Sequence, residues 1–224
     1  PVNWLQVMEN SLDPIHTEWL HGHHYEFLKE QEGVKVAISA HHEKIDFKEF
    51  EYGITKHRLL EGHSEDGDDW KIGVPVDDEH TMHLWYNAYV PPQGKTIPAH
   101  LLETVHIYEV PYRDAQGEFI VDNVDGQDMM AWVTQGAIAD RSRENLGATD
   151  KGIAMYRRTL RREMKKVQAG QDPMGLVRDA SRNVRIDLPK EKKKHHNSDG
   201  FTSFMMRTHA KYSPIASDLS QIFD

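Results

Sequence analysis

The chain has 224 residues, enough for one large domain with its own core, with 38 % hydrophobic residues and a mean hydropathy of −0.70. Its 27 lysines and arginines against 36 aspartates and glutamates leave a net charge of −9, which argues against a general nucleic-acid binder. Cysteine is absent, so these residues make no disulfide, thiolate zinc site or iron–sulfur cluster, and no apolar run approaches the roughly 20 residues of a membrane-spanning helix. A cytoplasmic protein is expected. The chain opens on Pro1 at the edge of a helical pattern, and we expect it to start inside a longer protein.

The densest chemistry lies in the first two dozen residues, at Asn10, Asp13, His16 and His21. On an α-helix, residues three apart are separated by about 60°, so Asp13 and His16 share a face. His21, five residues on, would be rotated by about 140° on a straight helix. The helix is therefore expected to bend or end before His21, with Gly22 as its terminator. Two imidazoles then meet, and a third ligand must come from elsewhere. Two imidazoles and one carboxylate around an ion suit Fe(II) in an oxygenase or zinc in a hydrolase. No His-Glu-x-x-His motif supports the hydrolase. Asp13-Pro14 also suits an N-cap followed by proline at the first helical position, and the two roles are compatible. His23 and His24 read as surface or supporting groups.

From Val34 the period changes to two. Val34, Val36 and Ile38 alternate, then Ile45 and Phe47, then Phe50, Tyr52 and Ile54, with a phase slip near Lys48-Glu49 that predicts a bulge. These read as antiparallel strands with one buried face. Glu61–Asp69, with Gly62 and Gly67, reads as a solvated acidic loop. His80–Val90 is the clearest strand pattern, ended by Pro91-Pro92. Its Trp85, Tyr86 and Tyr89, with Trp132 further on, could wall a pocket, but core packing explains each better. Val105–Tyr112 reads as another strand, followed by a turn at Asp114–Gly117 and Phe119–Val121. Asn123, Asp125 and Gly126 open a second helix running through Trp132 to Gln135-Gly136. On pattern alone, Asp128 lies in its first turn and complements the helix dipole.

Thr149 or Asp150 caps a long helix to Gln168. Ile153, Tyr156, Leu160, Met164 and Val167 form an apolar stripe, and Arg157, Arg158, Arg161, Arg162, Lys165 and Lys166 fall largely elsewhere. That basic face is either solvated or a dock for an acidic redox partner. Pro189–Gly200, with His195 and His196, reads as an exposed loop, and Ser213–Asp224 as a short terminal helix with Ile215, Leu219 and Ile222 inward.

Three stretches together resemble the catalytic domain of Rieske non-haem iron aromatic oxygenases. They are Asn10-x-x-Asp13-x-x-His16-x-x-x-x-His21; Gln127-Asp128 through Trp132 to Gln135-Gly136; and Asp140-Arg141-x-x-Glu144-x-Leu146-Gly147-x-x-Asp150-x-Gly152 with Arg157-Arg158. The branch most similar is that of phthalate dioxygenase and the aryl-ether O-demethylases acting on lignin-derived biphenyls. The resemblance implies that His16, His21 and Asp128 hold a mononuclear Fe(II). It makes Asp13 the bridge to a Rieske cluster on a neighbouring subunit and Asn10 a residue beside the iron. It implies an α+β helix-grip fold, an antiparallel sheet curved around the long helix. It also implies a homotrimer that takes an aromatic substrate and dioxygen, fed with NAD(P)H electrons by a separate reductase or ferredoxin.

The sequence departs from the family at two points. The [2Fe–2S] ligands are missing, so either a Rieske domain is expected before Pro1 or the chain is an isolated catalytic module. Between Gly73 and Val74 the family carries more chain, so a missing segment is expected there. The expected division is therefore a catalytic domain over 1–188 and a C-terminal loop and short helix over 189–224. The reaction class is oxygenation of an aromatic acid, with O-demethylation through methyl hydroxylation ahead of ring dihydroxylation. The non-enzyme rival is a helix-grip module that binds an apolar ligand without redox chemistry.

Overall fold

Asn3 accepts a hydrogen bond from the Leu5 amide at 3.0 Å and caps the first helix, α1 (Trp4–Leu12). Gln6, Val7, Glu9 and Leu12 are its buried residues, spaced as one helical face requires. The computed structural model describes residues 1–37, 39–61, 71–85, 91, 94–183, 205 and 208–223, with backbone alone at 71–74. After α1 come α2 (Ile15–Glu18), a π-helical turn (Trp19–His23) and α3 (His24–Gln31). Strands β1 (His42–Phe50) and β2 (Gly53–Leu60) form one antiparallel hairpin around Glu51-Tyr52. Strands β3 (Lys71–Pro75) and β4 (Thr81–Trp85) form another, in register from Lys71↔Trp85 to Pro75↔Thr81. Helices α4 (Ala99–Leu102), α5 (Val124–Val133), α6 (Lys151–Gln168) and α7 (Ala216–Phe223) follow. The class is α+β, as expected. No described helix is long and apolar enough to cross a membrane.

Two small apolar clusters hold these elements. Val2, Val7 and Trp132 bury against Trp85 and Met129, joining α1, β4 and α5. Met205, Ala210, Leu219, Ile222 and Phe223 pack with Ile97, Leu101 and Ile215, which seats the terminal helix. The inward set expected of that helix is thus observed.

Helix α6 lies on the β1–β2 hairpin. A Cβ at Gly152 would come within 2.3 Å of the Phe47 ring, so only glycine allows this approach. Thr159 donates to Glu49 at 2.7 Å, and Arg162 pairs with Glu49 at 2.6 Å. The buried positions of α6 are Gly152, Thr159 and Glu163, whereas Met164 and Val167 of the apolar stripe stand 59 % and 55 % exposed. Polar anchoring to the hairpin, rather than apolar burial along the whole stripe, sets this helix's orientation.

Three strand-level expectations need correction. Residues 34–37 form no strand, and Val34 is exposed; Ile38 lies outside the described residues. The β1–β2 ladder runs unbroken through Lys48-Glu49, and its irregularity falls between His42 and Lys44. The phase change at Phe50 comes from the hairpin turn that follows it. Residues 105–111 have no regular secondary structure and join no described ladder, with one isolated bridge at Arg113↔Phe119 closing the Asp114–Gly117 turn. Burial still alternates there, with His106, Tyr108 and Val110 inward and Val105 and Ile107 outward. The sequence period reported the two environments, not a hydrogen-bonded partner. The Glu61–Asp69 loop beyond its first residue, the strand beyond Trp85 with Tyr86 and Tyr89, and the Pro189–Gly200 loop with His195 and His196 lie outside the described residues.

The α6–hairpin interface has a pH consequence. Hydrogen bonds from Lys166 and Arg162 outweigh burial and hold the Glu163 carboxyl at about 2, against an ordinary 4.5. Glu49 is held down by Arg162 and Thr159. A depressed folded pKa adds stability above the unfolded value, which is lost as pH falls through the folded value. The urea midpoint is therefore expected to drop between pH 4.5 and about 2, and Glu163→Gln to shrink that drop. An equal drop in the variant would place the acid sensitivity elsewhere.

Candidate metal centre

Asp13 breaks the first helix and starts the next. Its Oδ1 accepts from the Ile15 amide at 2.9 Å and its Oδ2 from the His16 amide at 3.2 Å. Oδ2 also meets His16 Nδ1 at 3.2 Å. A carboxylate only accepts, so His16 carries its proton on Nδ1 and keeps a lone pair on Nε2.

The reversal that brings His21 back to the same side is a π-helical turn. The His24 amide donates to the Trp19 carbonyl, five residues back, and the widened ring absorbs one residue. The expectation that Gly22 ends the helix is corrected by this: the chain continues as α3 to Gln31. Gly22 serves packing instead, because a Cβ there would stand 3.0 Å from Ser39 Cα.

Asn123 caps α5, accepting from the Gly126 amide at 2.8 Å. The first-turn acid is Asp125; Asp128 lies one turn deeper and is fully buried. The dipole role read for Asp128 therefore belongs to Asp125. Asp128 faces the α1–α2 region, where Asn10 Nδ2 donates to its Oδ1 at 3.3 Å. His21 Nε2 lies 3.1 Å and His16 Nε2 3.6 Å from that oxygen. The two imidazole rings meet edge to face with centroids 5.0 Å apart. One donor atom from each of His16, His21 and Asp128 lies within 4.8 Å of the others.

Gln127 is part of the second motif, but the sequence reading gave it no role of its own. It is fully buried; its Nε2 donates to the Val121 carbonyl at 2.8 Å, which turns Oε1 toward His21 Nδ1 at 2.9 Å. His21 Nδ1 therefore donates, and its Nε2 is the ring atom turned to Asp128. A long polar side chain next to a carboxylate on a buried helix face was the available signal. Gln127→Leu is expected to weaken divalent-metal binding by about 10–100-fold, the usual cost of losing such support. Gln127→Glu, which keeps an acceptor, should recover most of it in a metal titration.

Metal chemistry fits these residues. With both Nδ1 atoms engaged, the two Nε2 atoms and the Asp128 carboxylate turn toward one small volume, an arrangement that suits a cation. Separations of 3.1 and 3.6 Å suit donors that each sit about 2.1 Å from one ion. Asn10 Oδ1 is buried there without a hydrogen-bond partner. Burial lowers the His16 pKa, and the hydrogen bond that its Nδ1 donates to Asp13 only partly restores it, so the ring is ready to ligate at neutral pH. Burial raises the Asp13 pKa, but its contacts with the His16 ring and the two amides win and hold it below the ordinary value.

The Asp140–Glu144 and Arg157 stretch supports the site from outside. Arg141 and Arg157 both bind Glu9, at 2.7 and 2.6 Å, and Arg157 also clasps Glu144. Glu9 is adjacent to Asn10, so the motif pins the helix that carries it. Trp132 is core, 3 % exposed, and His23 is surface-facing beside Trp19 and Glu26.

Residues 114–188 match the LigXa C-terminal domain-like family. The chain is 39 % identical over 208 residues to the 5,5'-dehydrodivanillate O-demethylase oxygenase subunit of Sphingobium sp., across 84 % of this chain and 48 % of that protein. It is 34 % identical over 125 residues to the phthalate 4,5-dioxygenase oxygenase subunit of Pseudomonas putida, across 46 % and 28 %. It is 26 % identical over 217 residues to the phenoxybenzoate dioxygenase subunit alpha of Ectopseudomonas oleovorans, across 83 % and 48 %. The chain spans about half the length, or less, of these curated relatives. In the first comparison the 208 aligned residues exceed the part of this chain they cover, so that relative carries additional residues inside the matched span.

Proposed function

This chain belongs to the aryl-ether O-demethylase-like oxygenases, and on that premise we propose that it is the catalytic portion of a Rieske-type terminal oxygenase subunit. One observation carries the reading. His16 and His21 each commit Nδ1 to a fixed acceptor and aim Nε2 at the buried Asp128 carboxylate. These three residues would hold a mononuclear Fe(II), which when bound supplies dioxygen activation.

The reaction inferred is O-demethylation of a lignin-derived methoxyaromatic acid. One oxygen atom enters a methyl C–H bond, and the hemiacetal collapses to a phenol and formaldehyde. The other oxygen leaves as water, with two electrons and two protons delivered through a reductase from NAD(P)H. The chain's own residues orient and desolvate: Asp13 and Gln127 set the imidazole tautomers, and Asn10 holds the carboxylate. Asp13, 28 % exposed at its side chain, is the route inferred for electrons from a Rieske cluster on a neighbouring subunit of a homotrimer. We infer a cluster domain outside these residues and a cytoplasmic enzyme. A helix-grip arrangement is supported by α6 lying on the β1–β2 hairpin.

The test is product analysis with the full-length protein, its reductase, NADH, dioxygen and a methoxylated biphenyl acid. Formaldehyde and a phenol should form in equal amounts and vanish in His21→Ala. The phthalate dioxygenase relative favours ring dihydroxylation as the second reading. A cis-dihydrodiol without formaldehyde would select it, and tight substrate binding without oxygen uptake would select a non-redox binding module.

A further inference from the structure

The N-terminal turn of α5 is held by residues about 84 positions away. Asp125 would ordinarily be a solvated first-turn acid; here it is 5 % exposed and turned to His209. Asp125 Oδ2 accepts both the His209 Nδ1–H, at 2.7 Å, and the His209 backbone amide. Trp85 stacks on the His209 ring, with centroids 4.9 Å apart and planes within 10°. Two residues on, Lys211 pairs with Asp122 at 2.6 Å, and its side chain is 12 % exposed. The 3₁₀ turn His209–Tyr212 thus grips Asp122 and Asp125, one on each side of the cap residue Asn123. The turn is itself anchored, because Ala210, Leu219, Ile222 and Phe223 share one apolar cluster.

The other end of α5 is held by α1. Gln6 donates to the Gly136 carbonyl at 3.0 Å and accepts from the Ala139 amide at 2.9 Å, and Trp132 packs on Val2 and Val7. Asp128 sits between the two holds. It is three residues from Asp125, about 4.5 Å along the axis. Ligand geometry tolerates displacements of only about 0.5 Å. A slack first turn would therefore reach the carboxylate.

We propose that the C-terminal segment bearing His209 and Lys211 is a clamp that positions Asp128 through Asp125 and Asp122. The terminal helix is then part of the site's support rather than an appendage. The proposal rests on the metal-site reading for its consequence, though the clamp can be observed without metal.

The experiment is amide hydrogen exchange on the metal-free full-length protein, paired with Fe(II) titration followed by the EPR signal of the ferrous–nitric oxide adduct. His209→Ala is expected to speed exchange of the Gln127–Ala131 amides about tenfold while α6 amides hold. It should weaken Fe(II) binding about tenfold, as lost support of a ligand does, and shift the EPR signal. His209→Asn, whose side-chain amide can donate where Nδ1 did, should restore all three. Should His209→Ala fail to fold, Lys211→Ala is expected to give the same changes at smaller size. Faster exchange confined to residues 205–223, with α5 and Fe(II) affinity unchanged, would overturn the clamp. If the wild type binds no iron at this site the metal reading fails, and α5 exchange alone still decides the clamp.

Discussion

Asp128→Ala is expected to yield a folded protein that retains no mononuclear iron and forms no product. Asp128 supplies the anionic donor, fully buried, that His16 and His21 face. Without it two neutral imidazoles remain, and two ligands fall short of the facial set that Fe(II) sites of this kind use. The isosteric Asp128→Asn separates charge from shape. Its side chain can still accept from Asn10, but it cannot neutralise a dication. In the metal-free protein the buried Asp128 carboxylate bears its desolvation cost with no dication to neutralise it. Asp128→Asn should therefore be no less stable than the wild type when both are metal-free. The difference emerges on adding Fe(II): at about 1,000 times its Kd a ligand stabilises by roughly 4 kcal/mol, and that increment should be missing from both variants. Melting curves with and without Fe(II), read beside iron content, check this. A variant that keeps the increment would place the metal elsewhere.

The site was legible where chemistry depends on residue type and short spacing. Asp13 and His16 do meet, as their spacing suggested, but through a cap between α1 and α2 in which the Asp13 carboxylate takes the His16 amide and ring. His21 could be paired with His16 only by postulating a bend, and the nature of that bend was not legible. A π-helical turn leaves no mark in a 3.6-residue pattern, since one absorbed residue looks like a local break. Asp128 could not be singled out by its own position, where a first-turn dipole role explained it equally well; the resemblance supplied it. Gln127 was hidden for a different reason. Its hydrogen bond to Val121 spans six positions, but the one to His21 spans 106 and depends on tertiary approach. The Asp125–His209 pair is likewise long-range, and no local rule links a helix-start acid to a terminal histidine.

Strand prediction erred in a consistent direction. Alternation at Ile45 and Phe47 coincided with a real ladder, whereas alternation at Val105–Tyr112 coincided only with alternating burial. Period two reports which side chains point inward. Whether a partner backbone lies alongside is a separate condition, set by topology. Helix α6 shows the converse: its apolar stripe was read correctly as a stripe, but the electrostatic grip of Glu49, Arg162 and Glu163 decides which face is covered.

Asp13→Asn is the second large effect. Asparagine generally caps as well as aspartate, but here both oxygens are in use: Oδ1 holds the Ile15 amide while Oδ2 holds the His16 amide and ring. An amide has one accepting oxygen, so either the Ile15 contact or both His16 contacts are lost, at about 1 kcal/mol of stability each. If the amide NH₂ faces His16 Nδ1, the ring must accept there and move its proton to Nε2, the atom needed for the metal. Loss of the correct tautomer at an aspartate-oriented histidine costs about 10⁴-fold in rate in the serine-protease case. Two effects can therefore lower turnover in Asp13→Asn, and excess Fe(II) distinguishes them. Restored occupancy with restored turnover would mean that Asp13 only orients His16. Restored occupancy with turnover still reduced by about 10³-fold or more is the expected result, because the carboxylate is also the inferred electron bridge between subunits. The measurement is iron content beside NADH-coupled product formation in the full-length protein, with single-turnover reduction of the cluster as control. Wild-type turnover in Asp13→Asn would remove this residue from the mechanism altogether.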